Sequence, residues 1–259
     1  LMAIIKKFRI KSFKEKETLV ELQKISMFYN KRQILNNISL NINKQEILGM
    51  LGPNGVGKST IFNIINGLVD PTYGKVFING TDCTNMPIYE RATRFKIAMC
   101  PQYGGYIGDL TLLDNLKLVS EIHIKKKYLR KEKIEKIVSQ FEFDSLLNIK
   151  SQQLSGGEKK RLVIAMSLIN DPSILLMDEP FAALDILTIK MLQEVIVNLQ
   201  SMEKITVVVC DHQARDLLSC VDRAIVLTSG KIIASGSPSE IIKDSTAKNS
   251  YFGEEFKLN

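Results

Sequence analysis

Residues 47–51, Ile-Leu-Gly-Met-Leu, run into residues 52–59, Gly-Pro-Asn-Gly-Val-Gly-Lys-Ser, and then into Thr60-Ile61-Phe62-Asn63-Ile64-Ile65. An apolar strand, a glycine-rich loop and an apolar helix in that order form a cradle for a nucleoside triphosphate. Gly52, Gly55 and Gly57 let backbone N–H groups turn inward around the phosphates, and the opening helix aims the positive end of its dipole at them. Pro53, Asn54 and Val56 complete the loop, and Thr60 lies in the first helical turn. Lys58 is placed to reach the outer phosphates, and the Ser59 hydroxyl is placed to ligate Mg²⁺. These residues predict that the chain binds a nucleotide.

A second stretch carries the metal chemistry. Ser173-Ile174-Leu175-Leu176-Met177-Asp178-Glu179 is an apolar run ending in two carboxylates, the pattern of a strand covered on both faces in a parallel sheet. A carboxylate at the end of such a strand is where a phosphate-loop protein holds Mg²⁺, so Asp178 is the metal-side acid. Glu179 need not touch the metal and is free to polarise an attacking water. Further upstream, Leu154-Ser155-Gly156-Gly157-Glu158 opens an apolar periodicity at Leu162, Ala165, Met166 and Ile169, and Ser155 stands 23 residues before Asp178. Ser155, Gly156 and Gly157 are therefore expected at a second phosphate-ready helix start. Since the chain's own loop already surrounds one nucleotide, this start is expected to serve a nucleotide held by another subunit.

In this order and spacing the residues resemble the ATP-binding cassette (ABC) family, whose signature is Leu-Ser-Gly-Gly. The resemblance covers about residues 19–243. It implies an ATPase that uses ATP and Mg²⁺, a homodimer that ATP binding closes and hydrolysis reopens, and two transmembrane permease subunits docking near Gln102–Asp109. By the same resemblance Tyr29 matches the aromatic that stacks on adenine, with Phe28 beside it as the other candidate. Gln102 matches the glutamine that contacts Mg²⁺ and water, Phe181–Asp185 the loop that crosses the dimer interface, and His212 the histidine that touches the γ-phosphate. Glu179, His212 and Gln102 are thus the implied catalytic set, and Ser59, Gln102 and Asp178 the metal set.

Within the family, Asn85-Met86-Pro87-Ile88-Tyr89-Glu90-Arg91-Ala92 and the ending Tyr251-Phe252-Gly253-Glu254-Glu255-Phe256-Lys257-Leu258 are similar to stretches of the lipopolysaccharide-export ATPases. Those proteins work at the cytoplasmic face of the bacterial inner membrane. Branched-chain amino-acid importer ATPases share the Pro-x-x-x-Arg-Ala region and stay open as an alternative, as does a soluble ABC ATPase of repair or translation. Two departures stand out. Ile107-Gly108 occupy positions where many exporters carry Phe-Arg, and Ile186 follows Asp185 where proline is usual.

Composition narrows the partners. The formal charge of +7 is concentrated in residues 1–20, with six Lys/Arg against two Glu, and in residues 123–133, with six against one. The rest is close to neutral, which argues against a nucleic-acid-binding stripe. Residues 1–18 read as a basic arm, either solvated or resting on an anionic leaflet at about 1 kcal/mol per basic residue. No run approaches the roughly 20 apolar residues of a membrane helix, and the first residues do not read as a secretory signal. The expectation is a cytoplasmic chain that reaches the membrane through partners. Cys83, Cys100, Cys210 and Cys220 lack Cys-x-x-Cys spacing and are expected to be reduced. His123, beside a lysine run, is expected at the surface.

The layout predicted from these patterns is α/β, a P-loop NTPase cassette with a mostly parallel core sheet, a small N-terminal antiparallel sheet and an inserted helical lobe at about 104–169. A polar turn is expected at residues 30–33, with strands at 36–42, 75–80, 173–178, 205–210, 222–228 and 230–236. Helices are expected at 112–122, 130–141, 189–199 and 238–243, and residues 244–259 form a C-terminal tail.

Overall fold

The computed structural model describes residues 17–253 and Phe256. The basic arm before residue 17, with its proposed contact to a leaflet, and Glu254, Glu255 and Lys257–Asn259 of the tail lie outside the described residues. β1 (Thr18–Tyr29) and β2 (Arg32–Asn43) form an antiparallel hairpin whose last pair is Tyr29↔Arg32. The turn is therefore Asn30-Lys31 alone, shorter than the four residues the polar run suggested. Asn30 takes φ 55, a left-handed conformation that asparagine tolerates and a two-residue hairpin needs.

β3 (Ile47–Leu51) and α1 (Lys58–Asn66) flank the glycine-rich loop. β4 (Tyr73–Ile78), the short β5 (Thr81–Asp82), α2 (Ile88–Arg94) and β6 (Ile97–Cys100) follow. Then come three helices, α3 (Leu112–His123), α4 (Lys127–Gln140) and α5 (Gly156–Ser167), before β7 (Ile174–Asp178). α6 (Ile186–Ser201), β8 (Thr206–Cys210), α7 (Ala214–Cys220), β9 (Arg223–Thr228), β10 (Lys231–Gly236) and α8 (Pro238–Lys243) complete the body. Among the described residues the strands form an antiparallel sheet in the order β2-β1-β4-β5 and a second sheet in the order β10-β9-β3-β8-β7-β6. The second sheet is parallel apart from the β9–β10 pair.

Strand alternation divides the interior in two. Ile174, Leu176, Val208, Cys210, Leu48 and Met50 face the core shared with α1 and the antiparallel sheet. Leu175, Met177, Val207, Val209, Ile47 and Leu51 face the core shared with α5, α6 and α7. A sheet buried on both faces explains the uninterrupted apolar runs. His123 and Gln140 end α3 and α4, with His123 exposed, and the four cysteines are buried.

Asn85–Arg94 has no clear apolar stripe, so local periodicity does not predict α2. A single side chain anchors it. Arg91, fully buried, donates to the carbonyls of Ile64 and Ile65 in the last turn of α1, and to those of Cys83, Thr84 and Met86. It thereby occupies carbonyls that a helix end leaves without intrahelical partners. Burial lowers the Arg91 pKa.

Candidate functional site

In the parallel sheet, the loops after β3, β6, β7 and β8 leave at the same edge, where doubly wound sheets take their ligands. Register sets them level: Met50 pairs with Cys210, Cys210 with Asp178, and Met177 with Cys100. Gln102, Glu179 and His212, widely separated in the chain, converge there. Gln102 Nε2 donates to Glu179 Oε2 at 2.6 Å, and His212 Nδ1 lies 3.6 Å from the same oxygen. Glu179 is mostly buried while the imidazole is partly exposed. A carboxylate between an amide and an imidazole, beside a phosphate cradle, is equipped to orient and deprotonate a water.

The cradle itself runs from Gly52 to Thr60. Gly57 is the N-cap of α1 with φ 111, and a Cβ there would meet Leu35 Cδ2 at 2.5 Å. With no side chain to cap the helix, the first-turn amides are left for an anion. Lys58 Nζ donates to the carbonyls of Gly52 at 2.7 Å and Pro53 at 3.0 Å, across the mouth of its own loop. Pro53, Asn54, Gly55 and Ser59 are exposed, and Val56 and Thr60 are half-buried. The β1–β2 hairpin packs on this loop through Leu35. Tyr29 is exposed at the end of that hairpin, whereas the Phe28 ring is held edge-on against Tyr73 at 6.3 Å. Of the two aromatics, Tyr29 is the one available to a flat ligand.

Ser155, Gly156 and Gly157 open α5 on the inserted lobe. Their neighbours are Leu184, Leu187, Thr188 and Met191, around a shallow cleft of 330 Å³ that Arg161 also lines. A Cβ on Gly157 would lie 2.7 Å from Thr188 Cγ2, so the close approach of α5 to α6 requires glycine there. Ser155 Oγ accepts from Glu158 N and the Glu158 carboxylate accepts from Ser155 N, a complete capping box. This start is thus partly satisfied from within, and what the box leaves over is the serine O–H and the first-turn amides of Gly156 and Gly157.

Asp178 is buried at the end of β7 and receives the Cys210 thiol on Oδ1 at 2.8 Å. Among the described residues no group of three or more His, Cys, Asp and Glu gathers to hold a metal. The Asp178 carboxylate and the Ser59 hydroxyl are oxygen donors of the kind that suit a hard cation completed by phosphate oxygens and water.

A model of the ABC transporter family matches residues 35–182 of this chain. The chain belongs to that family. It is an ABC-type ATPase, the ATP-binding subunit of an ABC transporter. The cassette is 36% identical over 245 residues to the lipopolysaccharide export system ATP-binding protein LptB of Haemophilus influenzae, covering 93% of this chain and 100% of that protein. It is 34% identical to LptB of Escherichia coli (strain K12), covering 89% and 95%. Among solved structures it resembles a nucleotide-free ATP-binding cassette from an ABC transporter, with a TM-score of 0.80 and 26% identity over 92% of this chain and 100% of that one. It also resembles a cassette solved as a dimer in a post-hydrolysis state with ADP and Pi, with a TM-score of 0.76 and 30% identity over 85% and 99%.

The fold of the cassette also recruits residues that sequence reading passed over. Asp211, fully buried, accepts from Phe181 N on one oxygen and from Gln213 N on the other, tying the loop after β7 to the end of β8. Lys160 in α5 donates to the carbonyls of Gln102 at 2.8 Å and Pro101 at 3.4 Å, which joins the lobe to the catalytic edge. Burial lowers its pKa, against the pull of Cys100 and of Asp178, Asp211 and Glu179. The Tyr251 hydroxyl donates to the His212 carbonyl at 3.2 Å, and burial raises its pKa. Lys160, within a basic run, reads locally as a surface charge. No local signal marks Asp211, and Tyr251 stands out only as part of the family-like ending at residues 251–258.

The segment after Gln102 is tied to the inserted lobe. Asn115, buried in α3, accepts from Ile107 N and donates to the Ile107 carbonyl, fixing that residue in both directions. Tyr106 packs against the lobe core, whereas Tyr103 is 82% exposed. The outward-facing tyrosine is therefore Tyr103.

Proposed function

We propose that the chain hydrolyses ATP as one of two identical subunits that drive lipopolysaccharide export from the bacterial inner membrane. The observation that carries the hydrolytic assignment is the approach of Gln102 and His212 to one oxygen of Glu179, at 2.6 and 3.6 Å. In this reading Gly52–Thr60 surround the phosphates, Lys58 swings from its loop carbonyls to the outer phosphates, and Tyr29 stacks on adenine. Glu179 accepts the proton of the attacking water, while Gln102 and His212 orient it. Mg²⁺, when bound, would neutralise charge on the phosphates, with Ser59, Asp178 and Gln102 as the protein groups that hold it. Ser155, Gly156 and Gly157 meet the γ-phosphate held by the partner subunit, which closes the dimer.

The transported molecule is proposed from likeness, since the relatives named for lipopolysaccharide export match nearly end to end. No helix among the described residues is long and apolar enough to cross a membrane, which fits a subunit held at the cytoplasmic face by two permease subunits. Exposed Tyr103 and Ile107 supply apolar area on the segment Gln102–Asp109, which supports docking of those subunits there. Isolation of the chain with its membrane partners, followed by ATP-driven release of lipopolysaccharide from proteoliposomes, tests the assignment. Co-isolation with an amino-acid permease, or ATP turnover without lipopolysaccharide release, would refute the substrate.

A further inference from the structure

One residue at the tip of β8 holds both acids of the site. Register sets Cys210 opposite Asp178 in the neighbouring strand. Its thiol donates to Asp178 Oδ1 at 2.8 Å, and its carbonyl accepts from Glu179 N at 2.8 Å. Cys210 is fully buried and Asp178 nearly so, so water does not compete for the contact. Glu179 meanwhile sits at φ 47, a backbone conformation that a non-glycine residue keeps only where its surroundings hold it.

The torsion that turns a carboxylate plane is broad and nearly free unless a neighbour restrains it. A donor on Oδ1 removes that freedom and leaves Oδ2 to serve the phosphate side. Every other side chain contributed by β7, and the neighbouring Val208 and Val209 of β8, is apolar. The thiol is therefore the polar group that the sheet itself supplies to Asp178.

We propose that Cys210 is a positioning residue, whose thiol hydrogen bond holds the Asp178 carboxylate in the orientation that takes the divalent cation of bound ATP. This rests on Asp178 being the metal-side acid. Partners that orient metal-ligating groups in this way typically change metal affinity by about 10-fold or more when removed. A serine keeps the donor at nearly the same size, whereas alanine removes it and leaves Oδ1 buried without it.

The test is calorimetry of a non-hydrolysable ATP analogue binding to the purified chain, first in EDTA and then at rising MgCl₂. The quantity read is the Mg²⁺ concentration that gives half of the affinity gain. Cys210→Ala should raise that concentration by about 10-fold while leaving metal-free affinity unchanged, and Cys210→Ser should restore the Mg²⁺ response to within about twofold, because it keeps a donor. A wild-type Mg²⁺ response in Cys210→Ala would overturn the proposal. So would a Cys210→Ser chain as impaired as the alanine variant, or a loss of metal-free affinity matching the loss with metal, which would mark a packing residue. Asp178→Asn separates the two layers: a Mg²⁺ response surviving there overturns the metal assignment itself, whereas its loss there together with an unaffected Cys210→Ala overturns only the role of the thiol.

Discussion

α1 and α5 both begin at glycine-rich turns, yet their first turns are satisfied in opposite ways. α1 starts at Gly57, which has no side chain, and its nearest ammonium, Lys58, is folded back on the loop carbonyls. α5 starts at Ser155 with a full capping box supplied by Glu158. The open start requires a ligand to complete it. The capped start holds its shape unaided and presents a hydroxyl with the two glycine amides the box leaves over. That asymmetry suits the proposed division of roles, in which the cradle binds its own nucleotide and the lobe start would meet that of a second subunit.

The comparison can be broken most sharply at the hydrolytic side of the open site. Glu179→Gln is expected to lower turnover by about 10²–10⁴-fold while ATP affinity is retained, measured as phosphate release alongside nucleotide binding. Near-normal turnover would remove Glu179 from the mechanism. Lys58→Ala deletes a charge-assisted hydrogen-bond donor worth about 1.5–3 kcal/mol, so ATP binding should weaken by roughly 10–100-fold in calorimetry. Unchanged affinity would show that the ammonium does not leave Gly52 and Pro53.

The capped start should respond differently. Ser155→Arg is expected to leave ATP affinity of the single chain unchanged and to prevent formation of the ATP-bound dimer, read by light scattering. Hydrolysis at a rate independent of protein concentration would contradict a shared site. The smallest effect is the most local. Glu158→Ala removes half of the capping box and should cost about 1 kcal/mol of stability, seen in denaturant unfolding, without changing ATP affinity of the monomer. A larger effect on affinity than on stability would mean that the capped start also serves the chain's own nucleotide.

The loop Gly52–Ser59, the apolar run ending at Asp178-Glu179 and the Ser155-Gly156-Gly157 start are contiguous, and strand or helix periodicity around each was readable without tertiary contacts. The parallel sheet followed from the apolar runs, since strands covered on both faces leave no polar alternation. Misplacements fell where local pattern is weak. The hairpin turn proved two residues shorter because Asn30 accepts a left-handed backbone, and α4 begins at Lys127, ahead of the predicted residue 130, in a lysine-rich stretch without apolar periodicity. α2 escaped notice because it is held by Arg91 reaching carbonyls in α1 and around β5, a contact with no local periodic trace.

By itself the sequence determined that this chain cradles a nucleotide, carries acids at a strand end and opens a second helix with a serine and two glycines. Each of these is a property of neighbouring residues, so backbone geometry over a few positions suffices to specify it. Only the tertiary structure decided that Gln102 and His212 meet at one oxygen of Glu179, that Cys210 grips Asp178, and that Tyr251 reaches the carbonyl of His212. Those contacts join residues far apart in the chain, and they exist because parallel register brings strand ends level and two buried faces lock that register.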